Sequence, residues 1–510
     1  MTAKGAVAAG HPLTAEAAAL LLEAGGNAFD AALAALCSAC VVEPVLTSLG
    51  GGGFLTARTS DGATRVYDFF VQTPVRKRPL DEVELFPVVA DFGTAQQMFH
   101  IGLGAFATPG TVRGLFDCHR ELGSLPMRRI VEPAVAAARD GVRLNRLQAY
   151  IFSVVTPIYL ATPGARALYG SPQDPERLCG EGELMRQRDL ADTLELLAIE
   201  GDRLFYEGEM GQALVALCEQ RGGQLVSRDL AGYRTRRRAP LQRGYRDARL
   251  YLNPPPSSGG LLIAFALALL EQQDLGSGPF GGADHLLTLA RVMEQTNLAR
   301  DSGPADEHLL HDDWVARHRL ALLGRPVAAR GTTHISVIDS SGNAASLTLS
   351  NGEGCGHVLP GTGIMLNNML GEEDLNPQGF HHWREDVRVS SMMAPTLAEH
   401  AGRLIAVGSG GSNRLRTAIL QTLCNLFDFG LSPEASVTAP RIHLERGKLS
   451  IEPGLPPDAA AQLREHWPDH QIWDDLNLFF GGTHTVLWDG RRFTGAGDPR
   501  RGGLLRVVPW

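Results

Sequence analysis

The chain has 510 residues, of which 44% are hydrophobic and 20% are charged, and its formal net charge is −9. These values are typical of a globular protein that buries a sizeable core. Lysine and arginine are scattered without a basic block, which argues against a nucleic-acid or anionic-membrane partner. The seven cysteines form no Cys/His grouping with metal-ligand spacing, so no metal site is predicted.

The amino terminus lacks the long apolar run of a secretory signal, and the apolar stretch from Ala31 to Val42 is too short to span a bilayer. We therefore expect a cytoplasmic protein without a membrane partner. Cys37 and Cys40 have the spacing of a redox pair. The alanine-rich helical pattern around them favours buried helix packing instead.

Hydrophobic periodicity predicts the elements of the first 300 residues. Gly50 to Gly53 resemble a phosphate loop, but no Gly-Lys-Ser/Thr follows, so a close backbone approach at a strand is the favoured interpretation. The predicted elements are a helical region over 14–43, strands at Leu49–Thr56 and Tyr67–Phe70, and helices at Thr111–Glu121, Ile130–Arg139, Leu190–Glu200, Gly211–Arg221 and Leu261–Leu270.

A β-hairpin is predicted between Arg330 and Asn351. Apolar residues alternate along two runs that are joined by the turn sequence Asp-Ser-Ser-Gly-Asn. Gly331 and Thr332 stand just before the first strand. If the bond between them breaks, Thr332 becomes a new amino terminus whose hydroxyl is a nucleophile and whose α-amine is a base. Taken alone, threonines before a strand are also explained by β-propensity and packing.

The sequence around the hairpin resembles the γ-glutamyltransferase family of N-terminal nucleophile hydrolases. The matching motifs occur in the same order as in the family over nearly the whole chain. After the hairpin it is carried by Gly361 to Asn368, Ser390-Ser391-Met392, Gly408 to Gly411 and Asp498-Pro499-Arg500. Upstream it is carried by Gly10 to Leu13, Gly25 to Ala32, Val42-Glu43-Pro44, Gly50 to Phe54 and Ala107 to Thr111.

The resemblance implies an α+β fold, a four-layer αββα sandwich, in one composite domain. Self-cleavage between Gly331 and Thr332 would give a large segment, 1–331, and a small segment, 332–510, that stay associated. No cofactor is implied, because the new amine serves as the base. The sequence leaves the oligomeric state open, including a homo-oligomer.

The resemblance also implies the catalytic groups. Thr332 would be the nucleophile for self-cleavage and for substrate attack, through an acyl-enzyme. Ser350 matches a second family threonine that binds the new amine. The backbone amides of Gly410, Gly411 and Ser412 would hold the oxyanion, with a register uncertain by one residue, because a proline usual in the family is absent.

The substrate-binding positions depart from the family pattern. Phe70 stands where the family has an arginine that clamps the α-carboxylate of the glutamyl donor; Arg76 and Arg78 are a short distance away in sequence. Glu372 falls at or near the position that holds the donor ammonium. The remaining predicted substrate-binding residues are Asn351, which opens an unusually glycine-rich segment, and the retained pair Ser390 and Ser391.

Three functions follow. The leading hypothesis is a self-processing γ-glutamyltransferase-like amide hydrolase or acyltransferase that takes a small-molecule amide or peptide-like substrate. The alternative is a divergent member with a non-glutamyl substrate, either a small amide or a C–C bond cleaved in a natural-product pathway. The third is a processed but inactive binding protein, which retention of Thr332, Ser350 and the glycine loop argues against.

Overall fold

The computed structural model describes residues 3–91, 96–301, 306–311, 314–315, 332–376 and 379–510. Gly331, the predicted residue before the cleaved bond, lies outside these ranges. Among the described residues, no helix has the length and apolar character needed to cross a membrane.

The strands are β1 (Ala3–Ala9), β2 (Gly52–Arg58), β3 (Thr64–Phe69), β4 (Phe86–Asp91), β5 (Gln96–Ile101), β6 (Val142–Arg143), β7 (Leu184–Met185), β8 (Arg236–Arg238), β9 (Leu241–Tyr245), β10 (Ala248–Leu252), β11 (Thr333–Asp339), β12 (Ala344–Ser350), β13 (Val358–Leu359), β14 (Ile364–Met365), β15 (Thr396–His400), β16 (Arg403–Gly410), β17 (Ile442–Glu445), β18 (Lys448–Ile451), β19 (His470–Ile472), β20 (Gly482–Trp488), β21 (Phe493–Ala496) and β22 (Leu504–Pro509).

The helices are α1 (Pro12–Glu23), α2 (Ala28–Val42), α3 (Thr111–Leu122), α4 (Met127–Asp140), α5 (Arg146–Val154), α6 (Thr156–Tyr159), α7 (Pro163–Tyr169), α8 (Arg188–Glu200), α9 (Arg203–Tyr206), α10 (Glu209–Gln220), α11 (Ser227–Gly232), α12 (Gly259–Leu270), α13 (Ala283–Asp301), α14 (Arg414–Phe427), α15 (Pro433–Thr438) and α16 (Pro457–His466).

Two antiparallel sheets pack face to face at the centre of the molecule. The first has the strand order β22-β1-β11-β12-β2-β3-β8, and the second has the order β21-β20-β16-β15-β10-β9. Small and branched side chains fill the space between the sheets, among them Ala6 and Ala8 from one and Leu397 and Ala406 from the other. The short residues let the two backbones approach closely.

Helices cover the outer face of each sheet. Helices α1 and α2 pack on the first sheet, and α12 and α14 pack on the second, each around its own apolar core. Every residue of α2 and of α12 is buried, which explains why both read as almost continuously apolar. The predicted four-layer αββα sandwich is therefore confirmed.

The predicted hairpin is β11 and β12. Thr333 pairs with Leu349 and Ile338 with Ala344. The predicted apolar face contributes to the core under α2, while the other face looks toward the second sheet. The predicted helical region over 14–43 is two helices rather than one, because the Asn27 side chain caps α2 in a capping box with Asp30.

Candidate active site

The end of the hairpin places Thr332 and Ser350 on one cleft. Because Thr333 pairs with Leu349, the residues just beyond that pair, Thr332 and Ser350, are neighbours across the hairpin and share the face toward the second sheet. The cleft is narrow, with a cavity volume of about 30 Å³. Its described lining consists of Phe70, Thr332, Ser350, Met369, Glu372, Leu375, Ser391, Met392, Met393, Ser412 and Leu415.

Thr332 is held by its backbone. Its carbonyl oxygen accepts a hydrogen bond of 3.0 Å from Nη1 of Arg501. A methyl group on Gly410 would lie only 2.0 Å from the same oxygen. The last residue of β16 is therefore packed directly against Thr332, and only a glycine fits there.

The predicted oxyanion loop begins at the same place. Gly411 and Ser412 have positive φ angles of 114° and 51°, so the chain turns sharply between β16 and α14. The carbonyls of Gly411 and Ser412 accept hydrogen bonds from the backbone N–H groups of Arg414 and Leu415. The N–H groups at the start of such a helical turn point away from the helix, and Ser412 lines the cleft with Thr332. Gly410 instead serves the close packing against Thr332.

Phe70 forms an apolar wall of the cleft. It is 1% exposed, and its ring stacks on Phe54 with centroids 5.5 Å apart. Its carbonyl accepts hydrogen bonds from the hydroxyl of Tyr233 and from Arg388. The backbone is thus fixed from behind while the ring faces the cleft.

Among the described residues, none of the arginines near Phe70 contributes to the cleft lining where the clamp would stand. Arg76 is exposed, and Arg78 bonds to Gly223 and Glu82. The buried guanidinium of Arg388 is engaged by Phe70, Tyr233 and Arg234. Within the described part of the lining, Glu372 is the sole side chain with a full charge.

Glu372 reaches the cleft past a glycine. Glu372 is 5% exposed, and a methyl group on Gly352 would lie 2.4 Å from its carboxylate. Gly352 also has a φ of +64°, a conformation that favours glycine. The glycine-rich segment after β12 therefore makes room for this carboxylate.

The two serines that were predicted to bind substrate lie in different environments. Ser391 lines the cleft and is supported from behind, because Ser257 donates a 2.9 Å hydrogen bond to its carbonyl. Ser390 is exposed, and its hydroxyl donates to Pro256. Alternate residues of an extended segment point to opposite sides, so only one of the pair can face the cleft. Ser390 is not among the described lining residues, and its role in substrate binding stays a prediction.

Asn351 is also displaced from the cleft. It is 0% exposed and does not contribute to the described lining. Its side-chain oxygen and nitrogen have no hydrogen-bond partner among the described residues.

Sequence reasoning missed two sets of residues. The first is the apolar lining from Met369, Met392 and Met393, whose position gave no signal because methionine fills cores and sites alike. The second is the pair Glu43 and Arg501, which approach Thr332 from distant parts of the chain. The Val-Glu-Pro and Asp-Pro-Arg motifs beside them were signals, but no role followed from spacing alone.

Comparison with known proteins supports one family. The sequence model of the gamma-glutamyltranspeptidase family matches residues 14–507. Acylase ACY 1 proenzyme from Pseudomonas sp. (strain V22) is 32% identical over 486 residues, which cover 90% of this chain and 86% of that protein. Glutathione hydrolase proenzyme from Escherichia coli (strain K12) is 29% identical over 528 residues, covering 94% and 87%.

Among solved structures, cephalosporin acylase from Bacillus halodurans superimposes with a TM-score of 0.86 at 25% sequence identity. The match covers 100% of this chain and 96% of that one. Similarity in sequence and in fold thus extends across both sides of the predicted cleavage point.

Proposed function

The chain belongs to the gamma-glutamyltranspeptidase family and is an enzyme of the N-terminal nucleophile hydrolase class, and we propose that Thr332 is its nucleophile. The enzyme would cut itself between Gly331 and Thr332 and then hydrolyse or transfer the acyl group of an amide. The observation that carries the proposal is the convergence of Thr332, Ser350 and Ser412 on one cleft.

Thr332 has two roles in this chemistry, as the nucleophile of self-cleavage and as the nucleophile of turnover. In self-cleavage the Thr332 hydroxyl attacks the carbonyl carbon of Gly331, and the C–N bond breaks to give an ester and the free α-amine of Thr332. Water then hydrolyses the ester, which frees the Thr332 hydroxyl and the Gly331 carboxylate. In turnover the amine takes the hydroxyl proton, and the oxygen attacks the substrate carbonyl. The N–H groups at Gly411 and Ser412 are placed to stabilise the oxyanion. The leaving amine then takes the proton, and water or a second amine accepts the acyl group.

Ser350 is proposed to orient the amine. Its place beside Thr332 across the hairpin suits a hydroxyl that bonds to the new amino terminus. Its own oxygen already accepts a 3.0 Å bond from the amide of Gly352, so its position is fixed. Ser350→Thr should preserve turnover, whereas Ser350→Ala should slow it.

A second candidate substrate is an acyl group without a carboxylate. The described lining offers apolar side chains, the hydroxyls of Thr332 and three serines, and one carboxylate, Glu372, with no arginine or lysine among them. Within the described lining, a substrate carboxylate would find no cation to pair with. The observation favours small amides with an apolar or amino-bearing acyl chain over γ-glutamyl donors.

Four p-nitroanilide substrates, whose acyl groups differ only in the substituents on one carbon, distinguish the two candidate substrate classes. They carry γ-glutamyl, 4-aminobutanoyl, glutaryl and butanoyl groups. We expect the two acyl groups without a carboxylate to react fastest, and we expect Glu372→Gln to lower turnover of the amino-bearing pair only. Fastest release from the γ-glutamyl compound would instead indicate an ordinary γ-glutamyl enzyme.

The nucleophile is tested in the same assay. Thr332→Ala should remain one chain and release no nitroaniline, while Thr332→Ser should keep both reactions at reduced rate. The wild-type small segment should gain the mass of the acyl group during turnover. Release of nitroaniline by Thr332→Ala would contradict the proposal.

A further inference from the structure

Arg501 lies where the two halves of the proposed active site meet. Its Nη1 donates to the Thr332 carbonyl at 3.0 Å. Methyl groups built on Gly410 and Gly411 would lie 3.2 and 3.1 Å from its two terminal nitrogens, and one on Gly482 would lie 2.5 Å from its side-chain carbon. The guanidinium therefore fills a space that three glycines leave open between β11 and the loop after β16.

Glu43 approaches the same point from the end of α2. Its two carboxylate oxygens accept hydrogen bonds from the hydroxyls of Thr333, at 2.7 Å, and Thr14, at 2.8 Å. Burial raises the pKa of Glu43, and the two hydroxyls and Arg501 oppose that rise. The carboxylate thus anchors the residue next to Thr332.

Arg501 is a buried cation. It is 4% exposed, and burial lowers its pKa to about 10, while Asp498 and Glu43 act in the opposite direction. At neutral pH it stays charged. The amine and carbonyl of one residue are joined through two carbons, so the Thr332 amine would lie within roughly 6 Å of the guanidinium.

We propose that Arg501 is a positioning residue that fixes the Thr332 carbonyl and, by its charge, keeps the α-amine released by cleavage in the neutral form that accepts a proton. Glu43 has the opposite electrostatic effect, so the two side chains together determine how readily the amine is protonated. A nearby like charge disfavours protonation of an amine, and an opposite charge favours it. This inference rests on the proposed role of Thr332.

Other charged and titratable groups lie around this point in the described part of the chain. Asp498 is paired with Arg441 at 2.7 Å, and the buried histidines nearby are neutral near pH 7, because burial lowers their pKa. Glu372 lines the same cleft as Thr332. The groups in question are His334, Glu372, Arg441, His484 and Asp498.

The test measures the pKa of the Thr332 α-amine in the cleaved protein. The amine is labelled with an anhydride over a range of pH, and the labelled amino-terminal peptide of the small segment is quantified by mass. We expect Arg501→Gln to raise this pKa by about one unit and Glu43→Gln to lower it. Opposite shifts cannot result from a merely structural role of both side chains. Arg501→Lys should restore most of the wild-type value.

Arg506→Gln is the matched control, because Arg506 is exposed and pairs only with Glu16 on the surface among the described residues. It should leave the pKa of the amine unchanged. If Arg501→Gln fails to cleave, Arg501→Lys and Glu43→Gln carry the test. A wild-type amine pKa in Glu43→Gln or in cleaved Arg501→Gln would overturn the inference while leaving Thr332 as nucleophile. A wild-type protein without a Thr332 amino terminus would instead refute the proposed function.

Discussion

At the scale of single residues, the backbone of Thr332 restricts its neighbours. A methyl group at Gly410 would stand 2.0 Å from the Thr332 carbonyl oxygen, a separation that real carbon atoms do not tolerate. We expect Gly410→Ala to displace β11 from β16 and to slow self-cleavage at least tenfold. The measurement is the fraction of cleaved chain against time on a denaturing gel.

Gly244→Ala is the control, because Gly244 lies in β9 of the same sheet and has open space around its α-carbon. It should cleave like the wild type. Equal cleavage by Gly410→Ala would mean that the contact with Thr332 has no part in processing.

Phe70 is the residue on which donor preference depends. Phe70→Arg would place a guanidinium in the cleft, and a charge-assisted bond to a carboxylate contributes about 1.5–3 kcal/mol. We therefore expect at least roughly tenfold faster release from γ-glutamyl-p-nitroanilide. The variant should also be less stable to heat, since the ring is 1% exposed and stacks on Phe54.

Phe70→Leu separates the two effects, because it removes the ring without adding a cation. It should lose stability and gain no γ-glutamyl turnover. The absence of any gain in Phe70→Arg would show that more of the pocket has changed than this one position.

Much of the cleft was predictable at this scale, and the failures have a common physical cause. Thr332, Phe70, Glu372 and Ser391, which the sequence analysis singled out, lie together in its described lining. Ser390 precedes the cleft residue Ser391, and Asn351 follows the cleft residue Ser350. Consecutive side chains of an extended chain face opposite sides. A motif match locates a site residue to within one position. The direction in which its side chain faces depends on the backbone conformation of the folded chain, which the motif does not give.

At the scale of elements, a polar layer lies between the two sheets. His334 of β11 makes hydrogen bonds of 2.8 Å to Thr348 and 3.0 Å to Ser336, and Ser336 donates to the carbonyl of His484 in β20. Burial lowers the pKa of His484 to about 4 and also lowers that of His334. Both imidazoles are therefore neutral in the folded protein near pH 7.

This layer makes the stability depend on pH. In the unfolded chain each histidine titrates near pH 6.5, so between about 6.5 and 4 the unfolded state binds more protons. The free energy of unfolding is greatest above pH 6.5 and falls as the pH is lowered toward 4, by up to about 3 kcal/mol for one such histidine. Urea unfolding at a series of pH values measures this slope.

His484→Asn should reduce the slope, whereas the same change at the exposed His466 should leave it intact. A free energy of unfolding that stays constant from pH 7 to 4.5 would contradict the account of the layer.

The elements themselves were predicted where the pattern is local. Alternation and a turn sequence define β11 and β12, and helical periodicity defines α3 and α8. The pairing of β12 with β2, in which Ser350 stands opposite Gly52, joins residues about 300 positions apart. No local pattern encodes such a pairing, so the order of strands within each sheet was not predicted.

At the scale of the whole molecule, both sheets combine strands from the two sides of the proposed cleavage point. In the first sheet β11 and β12 lie between β1 and β2, and in the second β10 pairs with β15. Breaking one peptide bond removes none of these ladders or the cores beneath them. We expect the two segments to elute together in native size-exclusion chromatography.

They should separate only after denaturation in urea. Dissociation of the segments under native conditions would contradict the interleaved topology. Thr332→Ala, as an uncut chain, gives the reference elution volume for the intact sandwich.

The central claim is that Thr332 becomes the amino terminus of a second fragment. The most direct measurement is the intact mass of the purified protein, followed by sequencing of the amino terminus of the smaller fragment. We predict two masses that meet between Gly331 and Thr332, and a single uncut chain for Thr332→Ala. A wild-type protein that stays uncut, or a small fragment that begins at another residue, would contradict the account.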